Sequence, residues 1–243
     1  MGGSKKFKGK LCVYCRRNES TTADHVFPRE LFQIEQRDQL PKVPSCVECN
    51  NEKSKLEHYL SAVLPFGATH SNSEKALSVD AAKRLEKNQK LHKELKRRFG
   101  YRQVPSEHGG TEERLVVELN YEALHDFVGF IGRALMWHHW GTYLPSEFRF
   151  IVFTPSSSGI EYISRLFEMS SDYRVDVKLG GDTVRYKGVM SEVDEGLSIW
   201  AIQLLGGMTV SDKSLGYVFK NSFVAMVTGP SKAIENLERS ITT

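Results

Sequence analysis

Four cysteines carry the clearest chemistry in this sequence, and all lie within the first 50 of its 243 residues. They form two pairs, Cys12-x-x-Cys15 and Cys46-x-x-Cys49. Each pair can set two thiolates on one side of a tight turn, and two such turns complete the tetrahedral four-thiolate shell that Zn²⁺ prefers. A shell filled by protein leaves no position for water, so this zinc is expected to be structural. A redox dithiol would need only one pair, and unconnected core cysteines would have no reason to avoid the rest of the chain. In a reducing compartment disulfides are not expected either.

A second group of residues sits around the pairs. Asp24-His25-Val26-Phe27-Pro28 lies between them, and Asn50 follows the last cysteine directly, with Lys53 three residues on. Phosphodiester hydrolysis needs an activated water, a charge sink for the transition state and help for the leaving oxygen. His25 can act as general base, since imidazole titrates near neutral pH. Asp24 offers a carboxylate oxygen and Asn50 an amide oxygen, hard ligands that suit Mg²⁺ or Mn²⁺. Adjacent strand residues point to opposite faces, so Asp24 and His25 share a side only where the strand bends or bulges. An Asp-His pair alone would be an ordinary surface turn. Its place between two C-x-x-C pairs, with Asn50 behind them, is what makes the constellation specific.

The arrangement C-x-x-C, D-H-V-F-P, C-x-x-C-N-x-x-K resembles the HNH endonuclease family, in its subgroup with a four-cysteine zinc site. The resemblance covers about residues 10–62. It implies a ββα-metal motif in which His25 activates water while Asp24 and Asn50 hold one divalent cation. It also implies that Lys53, one helical turn past Asn50, contacts phosphate. The chain departs from the family at Pro41, which stands where the family has its middle asparagine; Gln39 is a candidate substitute. His58 lies two turns beyond Asn50, about 12 Å along a helix, and reads as a surface histidine.

These residues need elements to position them. Residues 47–64 read as a helix and 65–78 as a linker rich in Gly, Ser and Asn. Asp80 can cap a helix over 81–99, ended by Gly100. Residues 102–113 read as a loop and 114–119 as a short strand. The strongest helix is 121–140, with Leu124, Phe127, Val128, Ile131, Leu135 and Met136 on one face. His138 and His139 diverge by about 100° on that helix, so they read as structural, one of them at the helix C-terminus. Beyond it, 149–154, 173–178, 183–189, 197–205, 216–220 and 222–227 read as strands, with helices over 159–169 and 231–241. Gly180-Gly181 suits a hairpin turn. The expected class is α+β. A zinc-bound HNH unit over 1–64 is followed by a linker and basic helix over 65–105, then a mainly antiparallel α+β domain over 106–243.

Charge is unevenly spread. Residues 81–100 hold eight Lys or Arg against two Glu, a surplus of six in a chain whose net charge is +3, so the rest is acidic by three. Arg84, Lys87 and Lys90 on this helix are candidates for contact with a phosphate backbone, and DNA is the expected partner. A solvated connecting helix would carry the same charges. No apolar run approaches the roughly 20 residues that span a bilayer, and the polar, basic start has no secretory pattern, so a cytoplasmic location is expected. The resemblance implies DNA cleavage, in the restriction and phage-defence settings where such nucleases occur. Two rivals stand beside it: a non-catalytic zinc module that binds nucleic acid, and a nuclease gated by its C-terminal domain through a homodimer contact or a partner protein.

Overall fold

The longest apolar helix organises the molecule. In the computed structural model, which describes residues 5–68, 86, 89–105, 110–169, 173–211 and 218–242, it spans Tyr121–Trp140. Three other helices are met here with it: α1 (Val47–Val63), α2 (Gln89–Arg98) and, after the long helix α3, α4 (Ser157–Met169). Asn120 caps α3 by accepting from Ala123 N at 3.2 Å. Gly141 ends it with φ +70°, a left-handed conformation that favours glycine. The six apolar residues read as its core face are all buried.

Short strands precede α3. β1 (Thr22–His25) pairs antiparallel with β2 (Lys42–Ser45), and β3 (Phe99–Pro105) with β4 (Thr111–Val117). After it come β5 (Phe148–Phe153), β6 (Arg174–Leu179), β7 (Val184–Met190), β8 (Ser198–Leu204), β9 (Met208–Ser211), β10 (Val218–Ser222) and β11 (Val224–Pro230), then helix α5 (Ser231–Thr242). Five of them form one antiparallel sheet in the order β5-β11-β8-β7-β6. Gly180 and Gly181 turn the β6–β7 hairpin with φ +60° and +58°. The mixed α+β class and antiparallel sheet agree with the sequence reading.

Strand alternation splits the sheet into two faces. Trp200, Ile202, Leu204, Tyr186, Val184, Val224 and Met226 face α3. Ala201, Val189 and Ala225 face α4, which covers them with Ile163 and Phe167. Glycine lets α3 approach closely: a Cβ on Gly132 would lie 2.0 Å from Met226 Sδ. The apolar core beside α3 continues without a break into the cysteine-bearing segment, through Val13, Tyr14, Val26 and Phe27. The first 64 residues therefore share their core with the later α+β part, and Phe27 lies 5.5 Å from Tyr186, ring to ring.

Three readings need correction. Residues 102–113 are not simply a loop, because β3 and β4 pair along their length; their apolar residues are too sparse among charges to signal strands. Gly100 does not cap a helix, since α2 ends at Arg98 and Gly100 pairs with Val116. His139 does not serve the helix terminus as a cation. Its Nε2 lies 2.9 Å from Tyr186 Oη, and burial, then His138, lowers its pKa to about 4. As pH falls, the unfolded chain protonates this group first, from its ordinary value near 6.5. Stability is thus lost progressively between about pH 6.5 and about pH 4. We expect His139→Gln to flatten that part of the stability curve in urea titrations at pH 7 and pH 5; an unchanged slope would contradict this. The expected linker over 65–78 begins as a 3₁₀ turn at Leu64–Gly67, and Asp80 lies outside the described residues.

Candidate metal centre and adjoining polar cluster

Two turns bring the cysteines together. The first follows Cys12, where Arg16 N donates to Cys12 O at 2.9 Å. The second is the start of α1, where Cys46 occupies the N-cap position and Asn50 N donates to Cys46 O. The β1–β2 hairpin joins them, with Val13 N also donating to Pro44 O. All four Sγ atoms lie within 4.8 Å of one another, and the four residues are free thiols. Cys15 and Cys46 Sγ are 3.9 Å apart. Around a tetrahedral zinc with ~2.3 Å bonds, sulfurs stand about 3.8 Å apart, so the four cysteines are placed to hold one metal ion. Burial, and next the charge of Cys12, raises the pKa of the Cys49 thiol. A bound cation opposes both effects by stabilising thiolates.

The other predicted residues divide between two places. The β1–β2 register runs unbroken from Thr22↔Ser45 to His25↔Lys42, so no bulge brings Asp24 and His25 to one face. Asp24 is 7% exposed and faces α1. Its Oδ2 accepts from Tyr14 Oη at 2.5 Å and pairs with Lys53 Nζ at 3.2 Å. Asn50 lies one turn earlier on α1, with Nδ2 3.4 Å from Thr22 Oγ1. His25 is half-buried at the end of β1, and its imidazole has no hydrogen-bond partner among the described residues. Burial, then Lys42 and Arg29, lowers its pKa to about 4, so it is neutral at pH 7. Pro41 braces the strand end through its backbone, accepting from Val26 N at 2.9 Å; Gln39 is exposed.

Lys53 is where the expectation fails. It is 0% exposed, donates to His25 O at 2.7 Å and pairs with both Asp24 and Glu57. A lysine so placed is not offered to a phosphate. Its role is to neutralise one buried and one partly buried carboxylate, Asp24 and Glu57, and burial raises the pKa of Glu57 even with Lys53 beside it. Removing one partner of a buried ion pair costs about 3–5 kcal/mol. We therefore expect Lys53→Met to lower the unfolding free energy by about that amount in denaturant titration. A midpoint equal to wild type would show that the cluster contributes nothing.

Arg84 and Lys87 lie outside the described residues, and Lys90 stands in the first turn of α2. Leu95 docks α2 onto the end of α1 with Ala62 and Val63, while Lys93, Lys96 and Arg97 are exposed. His58 is exposed, as a surface histidine should be. Sequence reading passed over Tyr14, Glu57 and Arg133. Glu57 had a signal, its i,i+4 spacing from Lys53. Arg133 had another, as the lone arginine in an apolar helix. Nothing marked Tyr14. Among the described residues, no helix is long and apolar enough to cross a membrane. Comparison of the chain with protein-family models, with curated proteins and with solved structures returns no match.

Proposed function

We propose that the segment carrying the four cysteines is a zinc-stapled phosphodiester hydrolase of the HNH kind, acting on DNA. The observation that carries this reading is the order β1, β2, α1, clamped at both ends by cysteines. Asp24 and His25 close β1 and Asn50 opens α1. The zinc is structural, because four thiolates fill its shell. His25, neutral and without a partner among the described residues, would take the proton from an attacking water, which requires the end of β1 to turn so that the imidazole meets the face that carries Asp24. A Mg²⁺ or Mn²⁺ ion held by Asp24 and Asn50 would supply positive charge at the scissile phosphate. Tyr14 and Lys53 fix the Asp24 carboxylate in place. Exposed cations on α2 supply sequence-independent attraction for the polyanion.

One observation favours a second reading, a zinc module that binds nucleic acid without cutting it. Lys53 already neutralises Asp24, so a divalent cation there competes with a buried ammonium. Incubation of supercoiled plasmid with protein and Mg²⁺ or Mn²⁺ separates the two. Cutting that needs the added cation supports hydrolysis, and metal-independent binding without cutting supports the module.

A further inference from the structure

We propose that the pocket between the first cysteine turn and α3 binds a phosphate group. The cavity has a volume of about 420 Å³ and is lined by Arg16, Arg17 and Arg133 together with Tyr14, Cys15 and Ser146; no carboxylate residue lines it. Three arginines line it, and a guanidinium presents a fork of donors that matches phosphate oxygens.

Two of the arginines are fixed by side-chain contacts with distant parts of the chain. Arg133 projects from α3 and packs against three rings, 4.7 Å from the Phe130 centroid, 5.8 Å from Tyr14 and 5.7 Å from Phe150. Its Nε donates to Gly129 O at 3.0 Å and its Nη1 to Tyr14 O at 2.9 Å. Both acceptors are neutral carbonyls, and among the described residues no Asp or Glu forms an ion pair with it; the negative charge of Cys49, Cys12 and Glu52 acts on it without an ion pair. A cation packed inside protein is costly unless an anion meets it. Arg16 has φ +54°, in the left-handed region that favours glycine. The turn that closes on Cys12 imposes this conformation on Arg16. Its side chain reaches across the pocket, with Nη1 donating to Leu144 O at 2.6 Å and the guanidinium 5.9 Å from the Tyr143 ring. Arg17 is exposed at the same turn.

The phosphate has two sources of the same chemistry, a polynucleotide backbone or a free phosphate or nucleotide. The proposal stands apart from hydrolysis, because its test reads binding and not cutting. The full-length protein with Arg16→Gly and Arg17→Gln combined is compared with wild type. Metal content and melting temperature are measured first and should not fall, since glycine suits the Arg16 backbone. A fluorescent DNA duplex and inorganic phosphate are then titrated. If the source is nucleic acid, duplex affinity falls about tenfold and its salt dependence flattens by about one unit per lost contact. If the source is small, phosphate binding disappears while duplex affinity stays. Either result supports the pocket. Wild-type binding of both ligands by the double variant overturns it, as does failure of wild type to bind either. It is equally overturned if Arg133→Gln loses the metal while the double variant binds normally; the arginines then only offset the charge of the cysteine cluster.

Discussion

Removing the metal with a strong chelator is expected to unfold the first 64 residues and to weaken the rest of the molecule with them. Structural zinc supplies about 10–16 kcal/mol in small zinc-binding units, whereas whole domains are stable by only about 5–15 kcal/mol. Between Cys12 and Cys46 the only regular pairing is a hairpin of two four-residue strands, which is marginal alone. Cys12, Val13, Tyr14, Val26 and Phe27 belong to the same apolar core as α3 and the sheet. Loss of the staple therefore exposes the near face of α3. One zinc per chain is expected by elemental analysis. Chelation or Cys49→Ser should drop the melting temperature well beyond the few degrees of an ordinary surface substitution. A protein purified without metal that melts where the metallated form melts would remove the staple from the account.

The second large effect is chemical. His25→Ala is expected to reduce DNA cleavage by about 10²–10⁴-fold, the usual worth of a positioned general base. Stability should change little. The imidazole is half-buried and makes no hydrogen bond among the described residues, and Lys53 holds the strand through the His25 backbone carbonyl. The variant should retain its zinc and its affinity for DNA. Cleavage at the wild-type rate by His25→Ala would remove this residue from the chemistry. Loss of cleavage together with loss of zinc would instead assign it to the scaffold.

Much of the architecture was legible because it rests on period and spacing. The 3.6-residue period of residues 121–140 gave α3 to the residue. Alternation gave the strands of the five-stranded sheet to within three residues, and the paired C-x-x-C spacing anticipated a four-sulfur cluster. What escaped depends on contacts distant in the chain. The pattern of 114–119 announced only the second half of β4; β3 and the start of β4 are charged and are stabilised by pairing with each other, which no local pattern announces. The inward turn of Lys53 depends on Asp24 arriving from β1, 29 residues earlier, and on Tyr14 from the first cysteine turn. The resemblance made this lysine a phosphate ligand, and only the packed structure shows two carboxylates beside it. The shared core was hidden for the same reason, since the apolar residues around the cysteines are few and find their partners on α3 and the sheet.

The central claim, hydrolysis at a zinc-stapled ββα unit, is tested most directly by plasmid cleavage with zinc-loaded wild-type protein. With Mg²⁺ or Mn²⁺ added, supercoiled DNA should be nicked or linearised, and with neither ion it should be bound but intact. Intact plasmid under both conditions, from protein that carries its zinc and binds DNA normally, would contradict the claim.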